Sequence, residues 1–264
     1  MKIKNALYNT KNIFYSIRNR RKYKNWKKII ISIVKGQQPT TVILRNGIQI
    51  DAPKYNDLLV MADEIFFRNI YNPVSLRIES NDIVVDIGAN IGVFTLFAAR
   101  RTQNTIYAFE PFPENIEFLN RNIRINGLYN ITSHCVAVCD KIGSAKLFIS
   151  GISAGHLLFN HSIEGKLEKY IKVPTTTLQR IMDVNNLEQI DFLKLDCEGS
   201  EGSILMSTPK DYLQRIKKIA MEFHDNVSQL KHDGIQRLLK ELGFITKLNW
   251  NGNSAFGYLY AIRD

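Results

Sequence analysis

The stretch Asp86-Ile-Gly-Ala-Asn-Ile-Gly92 directly follows the apolar run Ile83-Val84-Val85 and directly precedes apolar residues at helical spacing, Val93, Phe94, Leu96 and Phe97. A buried strand that breaks into a glycine turn and resumes as a helix brings backbone close to a ligand. The unpaired N–H groups at the helix start attract negative charge there. Such a turn marks a nucleotide or cofactor site. The dinucleotide fingerprint is G-x-G-x-x-G, in which the third glycine matters. Here Gly88 and Gly92 are spaced G-x-x-x-G, no third glycine follows, and Asp86 stands two residues ahead of the first. A carboxylate in that place repels pyrophosphate and suits a cationic cofactor, which favours S-adenosylmethionine over a dinucleotide.

The 264 residues accommodate one large domain and a small appendage, not a second full domain. The net charge of +10 is unevenly spread. Residues 1–50 hold 12 of the 35 Lys and Arg and no Asp or Glu, which leaves 23 basic against 25 acidic residues in the remainder. The basic character therefore belongs to an N-terminal arm, and the body is nearly neutral. Cys135, Cys139 and Cys197 form neither an even set nor a C-x-x-C, which argues against a disulfide framework and a structural zinc site. No signal peptide is evident and the longest early apolar run is too short to span a bilayer, so a cytoplasmic location is expected.

Residues 1–40 read as the arm: Ile3, Ala6, Leu7, Ile13, Phe14 and Ile17, then Trp26, Ile29, Ile30, Ile33 and Val34, recur at the spacing of two short amphipathic helices. Residues 41–264 read as the body, with an extension over 41–80 and a core over 81–264. The extension holds a hairpin turning at Asn46-Gly47 and a helix over 57–71 that stops before Pro73. From Ile83, strands and helices alternate: strands at 83–86, 105–109, 131–138, 191–195 and 217–223, helices at 91–101, 113–126, 201–206 and 228–242. Strands at 244–250 and 255–262, joined at Asn251-Gly252, make a final hairpin. This order predicts a Rossmann-like, doubly wound, mostly parallel seven-stranded sheet with a C-terminal antiparallel hairpin.

Ligands of such sheets bind beyond the carboxyl ends of the strands. Four strand ends carry acids: Asp86; Glu110; Asp196 with Glu198; and Glu222 followed by His224 and Asp225. Glu110 is suitably placed to accept hydrogen bonds from both hydroxyls of a ribose. Any one of these acids alone could be a helix cap or a solvated side chain.

The motifs EIF at 64–66, DIVVDIGANIGVFT at 82–95, AFEPFPEN at 108–115, VPTTTL at 173–178 and FLKLDCEGSE at 192–201 together resemble the FkbM-type methyltransferases of the class I S-adenosylmethionine-dependent enzymes. DIGANIG alone is shared by many methyltransferases; paired with KLDCEGSE it is far more specific. The resemblance runs from about Glu64 to Asp225. It implies that Asp86, Gly88, Asn90 and Gly92 line the cofactor and that Glu110 binds its ribose. The stretch Ala137-Val138-Cys139-Asp140 would flank the adenine, and Asp196, Glu198 and Thr95 would lie near the methionine end and the acceptor. Residues before 40 and 150–172 depart from the pattern, so substrate choice does not transfer.

Methyl transfer from a sulfonium asks a protein to align the acceptor oxygen and remove its proton. Asp196 is the first candidate base or orienting group, His224 the second, and His156, in Gly155-His156, a third from a loop. Glu198 belongs to the same catalytic group. Asp196 with Asp225-Asn226 offers oxygen ligands for a divalent cation, but the resemblance requires none, and no metal is expected.

The basic arm, residues 1–35, fits peripheral association with an anionic membrane surface. Two other readings stand beside it: an arm folded onto the body, and an RNA grip using Tyr23 and Trp26. A near-neutral body argues against nucleic acid. The expected activity is O-methylation of a hydroxyl, with the substrate class implied by the resemblance: a sugar in a glycan or glycolipid precursor. The alternatives are an RNA or small natural-product methyltransferase and a cofactor-binding scaffold without turnover.

Overall fold

The computed structural model describes residues 20–149 and 169–263. The first expected arm helix and His156 lie outside the described residues. The chain builds helices α1 (Trp26–Val34), α2 (Leu58–Phe66), α3 (Val93–Ala99), α4 (Pro113–Ile125), α5 (Leu178–Val184), α6 (Glu201–Ser207), α7 (Lys210–Leu213) and α8 (His232–Glu241). Its main strands are β3 (Val84–Ile87), β4 (Ile106–Phe109), β5 (Ile131–His134), β9 (Ile190–Leu195), β10 (Ile216–His224), β11 (Ile245–Asn249) and β12 (Phe256–Ile262).

These seven strands form one sheet in the order β11-β12-β10-β9-β3-β4-β5, parallel except for β12, which runs antiparallel between β10 and β11. Every residue of β3 and β9 is buried, as expected for strands covered on both faces. Side chains alternate between two cores. Val84 and Phe192 pack with α1, α2 and α3, whereas Val85 and Leu193 pack with α5, α6 and α8. Helices on both faces define the Rossmann-like, doubly wound architecture that the alternating sequence pattern predicts.

Two readings change. The strand expected over 131–138 is two strands in two sheets. β5 ends at His134, and β6 (Ala137–Val138) pairs with β8 (Tyr170–Thr176), which also pairs with β7 (Gly143–Phe148). β5 is a half-exposed sheet edge while Ala137 and Val138 are buried, and no glycine or proline marks the break between them. The helix expected to reach residue 71 stops at Phe66 and the chain turns at Asn69, whose φ of 54° suits the short polar side chain. That turn frees Tyr71 from the helix.

Residues 20–40 pack onto the body. The hairpin β1 (Thr41–Ile43) and β2 (Gln49–Asp51) turns at Gly47, with φ of 95°. Tyr23 bridges to Leu44, and α1 buries Ile29 and Ile33 in the core. Ile29 and Ile33 of this helix therefore face protein, whereas Val34, expected on the same stripe, is exposed.

Candidate active site

Strand order reverses between β3 and β9: the chain proceeds from β3 to β4 and β5 on one side and from β9 to β10 on the other. A crevice opens at such a point beyond the carboxyl ends of the strands. The protein has a cavity of about 250 Å³ there, bordered by Gly88, Asn90, Glu110, Lys194, Asp196 and Glu222 among others. Gly88 makes the close approach of the two strand ends feasible. Its φ is 78°, and a Cβ on it would stand 1.7 Å from the Asp196 carbonyl oxygen. Gly92, with φ of 89°, starts α3 where a Cβ would meet Leu119 at 2.3 Å.

At one end of the cavity, Glu110 is buried with both oxygens occupied. Oε2 accepts the Asn90 backbone N–H at 2.8 Å, and Oε1 accepts the Phe112 N–H at 2.9 Å and the Asn115 amide at 3.3 Å. Burial pushes its carboxyl up to about 7, against the pull of those donors and of Lys194. Asn90, with φ of 51°, turns its own oxygen to the Ile91 N–H. Ala137 and Val138 reach the same cavity from the smaller sheet.

Beneath the cavity lies a fully buried ion pair that sequence reading missed. Lys194 stands opposite Asp86 in the β3–β9 register, with Nζ 3.2 Å from Asp86 Oδ1 and 3.5 Å from Asp196 Oδ2. It also donates to the Gly88 carbonyl at 2.6 Å. Burial acts to lower its pKa, but Asp86 and Asp196 outweigh that and hold the ammonium firmly charged. Thr95 donates to the other Asp86 oxygen at 2.6 Å. Asp86, Thr95 and Gly92 therefore do not border the cavity: they brace the bend, and Lys194 balances the Asp86 charge expected to meet a cation. A lysine inside the otherwise apolar Phe192-Leu-Lys-Leu195 was the available signal.

The far end is acidic. The Tyr71 hydroxyl lies 2.9 Å from both Asp196 Oδ2 and Glu222 Oε2, its ring held edge-on by Phe94 and Tyr258. Burial, and then the Asp196 charge, push Glu222 up to about 8. Glu64, from α2, and Glu198 border the same space. Burial pushes Glu198 up to about 7 against the His224 charge.

His224 sits behind this wall. Its Nδ1 is 3.2 Å from Glu201 Oε1 and its Nε2 is 3.5 Å from Glu198 Oε2. Burial alone would lower its pKa, but Glu201, with Glu198 and Asp196, carries it up to about 10. A charged imidazolium has no lone pair to take a proton, so His224 does not suit the role of base; it positions Glu198 and Glu201. Ligand atoms of Asp196, Glu198 and His224 lie within 4.8 Å of one another, yet both ring nitrogens of His224 already face acids. Asp225, which the sequence offers beside Asp196 only as an alternative oxygen ligand, accepts the His232 backbone N–H at the start of α8.

The cavity suits the nucleoside and sulfonium halves of S-adenosylmethionine: a bend with no room for a Cβ, a buried acid at the β4 end, and, at the other, carboxylates without a competing free cation among the described residues. Fold and site together define a class I-type methyltransferase. The Methyltransferase FkbM domain pattern matches residues 86–246, and the chain belongs to that family.

Among curated relatives, it is 27% identical over 182 residues to "Methyltransferase 1" of Beauveria bassiana, covering 62% of this chain and 72% of that one. It is 26% identical to the 31-O-demethyl-FK506 methyltransferase FkbM of Streptomyces tacrolimicus, covering 70% and 82%. A crystal structure of Methyltransferase FkbM from Methylobacillus flagellatus KT shares the fold, with a TM-score of 0.50, 16% identity and 76% of this chain covered. The chain spans about half, 47%, of that protein. S-adenosylmethionine is the methyl donor of this group.

Proposed function

We propose that this protein is an O-methyltransferase that methylates a hydroxyl of a polyhydroxylated acceptor, with a sugar in a glycan or glycolipid precursor as the first substrate class to test. The observation that carries the reading is the setting of Asp196. Its side chain is 27% exposed at the cavity. The Tyr71 hydroxyl and the Lys194 ammonium both meet the same oxygen, Oδ2. Oδ1 is then the oxygen available to an acceptor. Glu64, Glu198 and Glu222 surround it with further hydrogen-bond acceptors, which suits a partner rich in hydroxyl donors. The Streptomyces relative, whose name specifies methylation at an oxygen, supports the choice of O-methylation.

Glu110, Asn90, Ala137 and Val138 would hold the nucleoside half of the cofactor. When bound, the cofactor supplies a methyl group already activated on sulfur. Asp196 Oδ1 aligns the acceptor hydroxyl and takes its proton as the new O–C bond forms. Tyr71 and Lys194 fix Asp196, and Lys194 with Thr95 fixes the glycine bend through Asp86.

Radiolabelled methyl transfer into extracted glycolipid, RNA and small-metabolite pools tests the reading. Base-stable label in the glycolipid or polyhydroxylated metabolite pool is expected, and Asp196→Asn should lower it by about 10²-fold or more, as for loss of a positioned base. Label confined to RNA, or an undiminished Asp196→Asn enzyme, would overturn it.

A further inference from the structure

We propose that the outward face of α1, with the basic loop that precedes it, is a docking surface for an anionic phospholipid membrane. The first acid in the chain is Asp51, after 12 basic residues. Within the described part, Lys22 is tied to Asp63 at 2.6 Å, while Lys24, Lys27, Lys28 and Lys35 are exposed and have no acidic partner among the described residues.

The helix orients these charges. Ile29 and Ile33 are buried, which turns Lys27, Ile31, Val34 and Lys35 to the opposite side at the i, i+4, i+7, i+8 spacing of one helical face. Ile31 is 53% exposed and Val34 63%, so two bulky aliphatics stand among lysines. Alongside runs a groove of about 370 Å³ lined by Lys28, Ser32, Thr40 and Thr41 and by no acid, a size and chemistry that fit a phosphate-bearing headgroup. Basic residues that reach an anionic leaflet, with a few aliphatic side chains entering the headgroup layer, give shallow, salt-sensitive attachment.

RNA is the other polyanion such charges could meet, and the structure disfavours it. Grip on single strands relies on exposed aromatic rings for base stacking. Tyr23 is only 1% exposed, and Trp26 packs against the core. Among the described residues, the surface therefore offers charge and aliphatic carbon without a stacking platform.

The test is cosedimentation of the full chain with vesicles of phosphatidylcholine alone and of phosphatidylcholine with an equal part of phosphatidylglycerol, at low and high salt. Partition into the anionic vesicles only, lost at high salt, is expected. Lys27→Gln/Lys28→Gln should lower it about 25-fold, since each basic residue near the surface is worth roughly a factor of five. Ile31→Ser/Val34→Ser should lower it about tenfold through lost burial of the two aliphatics. Both variants alter exposed side chains only and should bind S-adenosylmethionine as the parent does. Equal partition into neutral vesicles, unchanged partition of both variants, or displacement of the protein from vesicles by single-stranded RNA would each overturn the assignment.

Discussion

The Tyr71 hydroxyl lies 2.9 Å from Asp196 Oδ2, and the same hydroxyl is 2.9 Å from Glu222 Oε2. A phenol carries one proton and donates one hydrogen bond. The second contact is attractive only where the carboxyl facing it brings a proton of its own. Glu222, pushed up to about 8 by burial and then by Asp196, is that partner. The Tyr71 O–H is within donating distance of both carboxyls, and a proton on Glu222 relieves the repulsion between the two acids. Burial and the same two acids hold the Tyr71 hydroxyl well above its ordinary pKa, so the phenol keeps its proton.

Tyr71→Phe keeps the ring between Phe94 and Tyr258 and removes only the hydroxyl that aims Asp196. kcat should fall by about 10- to 100-fold, the scale on which a small misplacement of a reacting group acts. The affinity for S-adenosylmethionine should change little. Steady-state kinetics on the labelled acceptor, with calorimetry for the cofactor, separates the two effects; equal loss of both would assign Tyr71 to cofactor binding instead.

Glu222→Gln should alter the pH dependence of stability. The folded-state pKa of Glu222 is about 8 against an ordinary 4.5, so folded protein binds the proton more tightly than unfolded chain between those values. Stability contributed by this group is full below about pH 4.5 and is lost as pH rises towards about 8. The glutamine variant lacks that loss. Its Tm relative to the parent should rise from about pH 5 to about pH 9, by the equivalent of a few kcal/mol at about 1.4 kcal/mol per pKa unit. Thermal melts across that range give the answer, and parallel curves would place the proton elsewhere.

Gly88→Ala should be far costlier than Gly127→Ala, although both glycines have positive φ. At Gly127 nothing lies within 4 Å of an added Cβ, and only the left-handed backbone penalty of about 1 kcal/mol remains. At Gly88 the new carbon would overlap the Asp196 carbonyl oxygen and force β3 and β9 apart. A loss of about 3–5 kcal/mol, the range of severe single substitutions, is expected, along with cofactor binding. Urea midpoints of the two variants make the comparison.

Periodicity and punctuation carried much of this fold to the reader of the sequence. Val84-Val85 and Phe192-Leu193 alternate between two cores, and Gly88, Gly92 and Gly127 mark real changes of backbone direction. The acids at the strand ends were equally legible, because the chain order of an open sheet fixes where such ends converge. What stayed hidden depends on contacts distant in sequence. Tyr71 and Asp196 are 125 residues apart, and only the early end of α2 at Phe66 brings them together. Lys194 looked like an interruption in an apolar strand until the register set it opposite Asp86. The break between His134 and Ala137 carries no turn residue, so two strands in different sheets read as one.

The pairing of His224 with Glu201 yields a last expectation, one that separates a support from a base. Glu201 is fully buried and also accepts backbone N–H groups of Cys197 and Gly199, so it staples the loop that follows β9. Replacing His224 by Asn leaves that carboxylate without its cation, and breaking a buried pair costs about 3–5 kcal/mol. The folded-state pKa of His224 is raised from 6.5 to about 10, so the stability it confers is fully present below about pH 6.5 and is lost as pH rises through about 10. His224→Asn should therefore be most damaging near pH 6 and approach the parent above about pH 10. Urea titrations at both ends of that window test the sign. In the folded fraction, methyl transfer should fall less for His224→Asn than for Asp196→Asn; the reverse order would return the proton-accepting role to the histidine.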